Sequence, residues 1–454
     1  MNKSNIRKSA LFIFIFTCTL LVAHSASFAL DVKRSVLKNG LTLVVAERHN
    51  LPVVQVTLGI MAGSLNEPEE KSGLAGLTAD LLTEGTKNRT ARQISEEIEF
   101  VGGSVGASGG DDYASASLSV LKKDMDLGFE LLSDMILNPV FPKEELEKNT
   151  ALIKGSLKEN ENNPGYIASR EFRKAVFGTH PYGRLNTGTV ETLDRIKRKD
   201  LVEFHEKYYT PDNAIMVVVG DVTAGEIEQM LNKYFGAWAA KNPDRPSLPE
   251  IRPLKERKTI TVDRDLSQAN IILGHIGVSR DNPDFYAISV MNYILGGGGF
   301  SSRLMENIRE ERGLAYDIHS YFSPGKYSGS FQVGLQTKNE SANTAIEEVL
   351  KEINKIRTVP VSDAEISDAK LFLTGSFPMK IETGSRIAGF LMAVEYYGLG
   401  ADYIDRYPQY INSVTKEDVL RAAQKYLDPE NYVLVVVAGQ GKAALKPQFM
   451  PGHN

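Results

Sequence analysis

The chain has 454 residues and a formal net charge of −5; 42% of it is hydrophobic and 24% charged, with 38 Gly, 19 Pro and a single Cys. That length exceeds one ordinary core and suits two domains of roughly 200 residues each. The composition excludes a wholly disordered, collagenous or coiled-coil chain, and the charge exerts no global pull toward nucleic acid or anionic lipid.

At the N-terminus, Lys3, Arg7 and Lys8 precede an apolar run over residues 10–23, and Ser27-Phe28-Ala29 offers small residues for cleavage. This order predicts a secretory signal peptide over residues 1–29. The run falls short of the roughly 20 residues a membrane-spanning helix needs. Cys18 lies within it, so the mature chain is expected to contain no cysteine and to tolerate an oxidising compartment. Losing three basic residues and no acidic ones takes the net charge from −5 to −8. The expectation is an exported protein, periplasmic or extracellular, with no stable membrane anchor after cleavage and no nucleic-acid partner.

Residues 34–47 hold an Asn39-Gly40 hairpin signal between apolar runs, and residues 53–61 alternate as a strand. Residues 73–83 have helical spacing, and Thr90 is placed to cap a helix ending at Phe100. A strand is predicted over 113–120 and helices over 125–137 and 144–158. Residues 239–258 are polar and carry Pro243, Pro246, Pro249 and Pro253, the composition of an extended spacer. Beyond it the scheme recurs: strands near 259–262 and 269–273, helices over 284–295 and 302–311, strands over 314–322 and 329–336, then long helices.

The recurrence is visible in the letters. DLVEFHEKYYTPDNAIMVVV at 200–219 matches DVLRAAQKYLDPENYVLVVV at 418–437, a constant offset of 218. Upstream, EELEKNTALIKGS at 144–156 matches AEISDAKLFLTGS at 364–376, an offset of 220. Two matches in the same order at nearly one spacing indicate a duplicated domain, not a solenoid, which needs more units. The expected organisation is a first domain at 30–240, a Pro-rich linker at 241–255 and a second domain at 256–454. The fold class is α+β: two homologous domains, each an antiparallel sheet with helices packed on one side, arranged as a pseudo-dimer.

Further segments carry a resemblance: AGSLNEPEEKSGLAGLTADLLTEGTKNRT at 62–90, THPYGRLNTGTVETL at 179–193 and GGGGFSSRLMENIREERGLAY at 296–316. With the Pro-Asp-Asn and Pro-Glu-Asn turns, they make the chain resemble the pitrilysin/insulinase-type zinc peptidases, in particular the half-length, two-domain members. The zinc motif of that family is H-x-x-E-H on a helix, two His one turn apart with a Glu as general base and a later Glu completing the ligand set. In this chain those positions fall on Gly76, Ala79 and Asp80, and the later Glu falls near Gly155, with Glu159 and Glu161 about a turn or more beyond it. The seven histidines, His24, His49, His180, His205, His275, His319 and His453, include no two within five residues. The resemblance therefore implies a chain that binds no zinc itself.

The resemblance also implies that an Arg and a Tyr seven residues later, in the second domain, reach a zinc site to hold substrate and stabilise an oxyanion. Arg309 and Tyr316 have that spacing, with Arg312 a nearby competitor. By spacing alone, Arg309 is one more charge on an exposed helix face and Tyr316 the start of a half-buried strand. The run Gly296, Gly297, Gly298, Gly299 corresponds to a loop near the family's peptide chamber and is a candidate substrate-binding element; a plain helix connector is the alternative. It lacks the Lys-Ser/Thr of a phosphate loop. His180-Pro181-Tyr182-Gly183 is expected to be a turn, His275 and His319 core or edge residues, and Trp238 a cap on the first domain. The implied role is that of the non-zinc subunit of a heterodimeric metallopeptidase. Its partner would be a homologous subunit bearing the zinc motif and the zinc, and its substrate a peptide. A catalytically inactive scaffold or peptide-binding protein of the same fold is the alternative.

Overall fold

Two sheets organise residues 30–450, the residues this computed structural model describes. The signal-peptide expectation over 1–29, with His24, and the position of His453 lie outside the described residues. Residues 32–450 belong to one compact unit. Among the described residues no helix is long and apolar enough to cross a membrane.

The first sheet comprises β1 (Asp31–Val36), β2 (Thr42–Glu47), β3 (Val53–Ile60), β4 (Ser104–Gly109), β5 (Ala114–Leu121) and β6 (Ala214–Gly220), in the order β1-β2-β6-β3-β5-β4. The second comprises β7 (Lys258–Asp263), β8 (Gln268–Ile276), β9 (Ala315–Ser323), β10 (Ser330–Lys338) and β11 (Val433–Ala438), in the order β7-β11-β8-β10-β9. Without β1, the two orders are the same, which is the duplication expressed as topology. Each sheet is mixed rather than purely antiparallel: β2 runs parallel to β6, and β7 to β11. The last strand of each half returns from far along the chain into the middle of the sheet, and a long crossover permits the parallel pairing that a hairpin forbids.

Five helices position the first half: α1 (Leu74–Asp80), α2 (Ala91–Phe100), α3 (Met125–Leu137), α4 (Lys143–Asn160) and α5 (Pro164–Phe177); α6 (Arg198–Tyr208) then leads into β6. In the second half, α7 (Phe285–Asn292), α8 (Ala342–Thr358) and α9 (Asp363–Gly375) precede α10 (Gly384–Tyr397) and α11 (Lys416–Tyr426). Thr90 closes a capping box with Gln93 at the start of α2, so the predicted helix begins where its cap lies. The repeat is kept in the backbone: α6 and α11 span the same residues at the offset of 218, and α4 and α9 begin at the offset of 220.

One face of the first sheet packs on helices of its own half, with Leu118 and Val120 of β5 in one core with Phe129 and Leu132 of α3. The opposite faces are covered by exchange. Helix α5 of the first half lays Ile167, Ala168, Phe172 and Val176 on Ile272, Val433, Val435 and Val437 of the second sheet. Helix α10 of the second half returns the arrangement, burying Ile387, Ala388, Leu391 and Met392 and packing on β3 and β6. This accounts for the Val triplets of the repeat: β6 and β11 are covered on both faces, where unbroken apolar runs belong. Residues 239–257 have no regular secondary structure.

Candidate functional site

Arg309 and Tyr316 are brought together, and both stand on irregular backbone. Arg309 lies in a π-helical segment, Met305–Glu311, a rare geometry that is frequent at functional sites. The chain then stops at Gly313, whose φ of +62° lets its N–H reach the Arg309 carbonyl at 3.0 Å while Leu314 N–H reaches Ile308 at 2.9 Å. This left-handed cap reverses the chain into β9. There Ala315 pairs with Thr337 and Asp317 with Gln336, so Tyr316 is the extra residue of a β-bulge on an edge strand. Bulges re-aim side chains; here the Tyr316 ring comes to 4.9 Å from the Arg309 guanidinium carbon. Tyr316 is 80% exposed, so its hydroxyl faces solvent.

Arg312 is separated from this pair. Its Nε donates to Asn307 Oδ1 at 2.7 Å and its Nη2 lies 3.3 Å from the buried Glu348 on α8. Among the described residues, Arg309 has as its carboxylate neighbour only the exposed Glu310 next to it, at 3.4 Å. An ion pair of that kind contributes little and leaves guanidinium N–H groups for another acceptor.

A second ring touches Arg309 that sequence reasoning missed: Phe300, whose centroid lies 4.8 Å from the guanidinium carbon. The glycine run delivers it. A π-helical turn over Tyr293–Gly297 extends α7. A β-carbon on Gly296 would stand 2.5 Å from Ser320 Oγ and 2.7 Å from Leu304 Cδ1, and one on Gly298 would stand 2.9 Å from the Tyr293 ring. Gly299 takes φ +58°, and its carbonyl accepts from Ser302 N–H at 3.0 Å and Ser302 Oγ at 2.7 Å. Gly296 is buried, while Gly297 and Gly299 reach the surface beside Phe300.

Helix α1 places Gly76, Ala79 and Asp80 beside β4. Gly76 abuts the strand so closely that a β-carbon on Gly109 would stand 2.6 Å from the Gly76 Cα. Ala79 is buried. Burial pushes the Asp80 carboxyl up to about 6. Beneath the helix start, Glu67 accepts from Gly73 N–H at 3.0 Å and Ala75 N–H at 2.8 Å, with its carboxyl raised by burial to about 7. Gly155 lies exposed on α4 with open space around it, and Glu161 pairs with Arg170. Among the described residues no group of three or more His, Cys, Asp or Glu side chains is placed to hold a metal ion.

The remaining histidines are apart from one another. His180 Nδ1 accepts from Tyr182 N–H at 3.1 Å within the 3₁₀ turn Pro181–Gly183. His275 is buried, its ring bonded to Ile276 O at 2.8 Å and Asp428 N at 3.1 Å. His205 lies against Ile136 O at 2.9 Å, and His319 stands on edge strand β9, 3.2 Å from Asp317. Trp238 is buried and donates from Nε1 to Tyr209 O at 2.9 Å, closing the first half.

Comparison with known proteins agrees on lineage. Residues 43–189 match the model described as insulinase (peptidase family M16), and residues 195–373 the model described as peptidase M16 inactive domain. The chain is 26% identical over 415 residues to the Bacillus subtilis protein named uncharacterized zinc protease YmxG, covering 90% of this chain and 99% of that one. An uncharacterized zinc protease of Rickettsia bellii is 29% identical, over 77% of this chain and 83% of that one. A crystal structure from Pseudomonas fluorescens, described as a peptidase M16 inactive domain, superposes with a TM-score of 0.85 at 29% identity, covering 90% of this chain and 98% of that one. A Helicobacter pylori protease structure shares the fold with a TM-score of 0.84 at 22% identity, over 90% and 99% of the two chains.

Proposed function

The chain belongs to the insulinase (M16) family of peptidases, and on that premise we propose that it is the non-zinc subunit of an exported two-chain member. The single observation that carries this is the contrast between its two halves. Helix α1 offers hydrogen, methyl and one carboxylate at Gly76, Ala79 and Asp80, while Arg309 and Tyr316 meet at 4.9 Å on an exposed edge.

The relatives' names imply zinc, and the residues on α1 do not fit it. A zinc site needs three or four N, O or S donors converging at about 2 Å. Of the motif positions Gly76, Ala79, Asp80 and Gly155, only Asp80 has a donor, and burial alone raises its carboxyl. Zinc then belongs to the partner, a homologous subunit with the complete motif, and this chain is read as binding no cofactor.

What this chain supplies is binding and charge. An extended peptide adds to a free strand edge through main-chain hydrogen bonds, and β9 ends its sheet, with β10 its one strand neighbour among the described residues. Along that edge the Arg309 N–H groups and the Tyr316 O–H are donors for a carbonyl oxygen as it gains charge. Removing one such donor typically costs about 10²–10³ in rate.

Co-expression with a zinc-motif homologue tests the reading. The expected result is a stable complex that cleaves peptides faster than the homologue alone, with Arg309→Ala and Tyr316→Phe each losing about 10²–10³ of that rate while assembly is kept. A complex that forms but ignores both substitutions makes the chain a scaffold or peptide-binding protein. Two chains that neither associate nor cooperate end the subunit reading.

A further inference from the structure

We propose that Phe300 is a positioning residue that holds the Arg309 guanidinium in place, and that the glycine run exists to present it; this rests on the reading of Arg309 and Tyr316 above. The guanidinium carbon lies 4.8 Å from the Phe300 centroid and 4.9 Å from the Tyr316 centroid, so two ring faces share one cation. Both distances are inside the range in which the ring quadrupole attracts an arginine. An arginine side chain loses rotamer freedom when fixed, and a clamp that fixes it beforehand removes that cost from the step in which the carbonyl oxygen gains charge.

Phe300 has no other evident purpose. It is 68% exposed at the tip of a loop, where a large apolar ring does not stabilise the core. The backbone that carries it is nonetheless constrained at several points. Gly296 sits where a side chain would strike Ser320 and Leu304, Gly298 lies on the Tyr293 ring, and Gly299 turns left-handed. Ser302 pins the Gly299 carbonyl through its N–H and its hydroxyl. A loop built only to connect helices needs none of this. The glycines act through Phe300, and Phe300 acts through Arg309.

The test has two arms. In the isolated full-length chain with labelled arginine, the Arg309 Nε–H resonance should be ring-shifted in the wild type. It should move toward the ordinary arginine position in Phe300→Leu and return in Phe300→Trp. An unchanged resonance in Phe300→Leu overturns the clamp. In the complex with the zinc-motif homologue, Phe300→Leu should lower kcat about two- to fivefold, the worth of one exposed cation–π contact. KM should change little, Phe300→Trp should restore the rate, and Phe300→Leu should add nothing in an Arg309→Ala background. Equal losses in both backgrounds overturn the positioning role, because Phe300 would then act on substrate directly. A resonance that shifts while peptide cleavage ignores both Phe300 and Arg309 keeps the clamp and sinks the two-subunit reading instead.

Discussion

Gly76 on α1 and Gly109 at the end of β4 are in backbone-to-backbone contact: a β-carbon on Gly109 would lie 2.6 Å from the Gly76 Cα. Neither atom belongs to a flexible side chain, so a methyl there must displace the helix or the strand. Gly109→Ala is therefore expected to destabilise the chain by about 1–3 kcal/mol, the usual cost of overpacking. Gly76→Ala meets only the Asn186 carbonyl, at 3.1 Å, and gains up to about 1 kcal/mol of helix propensity. It should be close to neutral. Denaturation midpoints of the two variants check the asymmetry, and equal losses would mean the helix and strand are not in this contact in solution.

Glu67 links that helix to pH. Its carboxyl is raised from the ordinary 4.5 to about 7, burial outweighing the two N–H donors of the α1 start. A raised acid binds its proton more tightly in the folded state, so its contribution is fully present below about pH 4.5 and is lost as pH rises through about 7. The wild type should lose stability across that window, and Glu67→Gln should flatten the loss. The variant is also expected to be weaker at every pH, since one amide oxygen replaces two acceptor oxygens under Gly73 and Ala75. Chemical denaturation from pH 4 to 8 separates the slope from the offset.

The sequence made most strands and helices and the duplication legible because each has a period or a repeated string to show; β4, built of Ser, Gly, Ala and one Val, and α5 were not among the elements read from it. The Asn39-Gly40 turn, the Thr90 cap and the offset of 218 all reappear in the backbone. The exchange of α5 and α10 was not legible, since an amphipathic stripe says that a helix is buried but not against which sheet. Arg309 and Tyr316 were legible only as a spacing. What makes them neighbours is a π segment, a left-handed Gly313 and a bulge at Tyr316, irregularities that leave no periodic trace. Phe300 was missed for the same reason, its partner being set by the path of the glycine run.

The exchange predicts that the halves are inseparable. A chain cut within residues 241–255 leaves the first half without α10 over β3 and β6, and the second without α5 over β8 and β11. Each isolated half would expose an apolar sheet face. Expressed alone, each should aggregate or lack a cooperative transition; expressed together, they should reassemble into a species with the size and melting behaviour of the intact chain. Size exclusion and thermal melts decide it, and an independently folded first half would show that the exchanged helices are dispensable.

The loop between β4 and β5 is where the exchange is secured. Asp111 takes Arg173 of α5 at 2.5 Å, and Arg173 Nε also donates to the Tyr182 carbonyl. Asp112 accepts from the Tyr182 hydroxyl at 2.5 Å and stands beside the Tyr396 phenol of α10, whose carbonyl Lys326 Nζ holds at 3.0 Å. Two adjacent carboxylates thus hold the ends of both crossing helices. Burial raises the Asp112 carboxyl above its ordinary range even with Tyr182 donating to it, and the Tyr396 phenol stays beside it when Tyr182 is removed. Asp112→Ala and Tyr182→Phe should each destabilise the chain. The double variant should cost less than their sum by about 1.5–3 kcal/mol, the worth of a hydrogen bond to a charged group. A coupling near zero would place the hold on the helices in the apolar contacts of Phe172 and Met392 rather than in this pair.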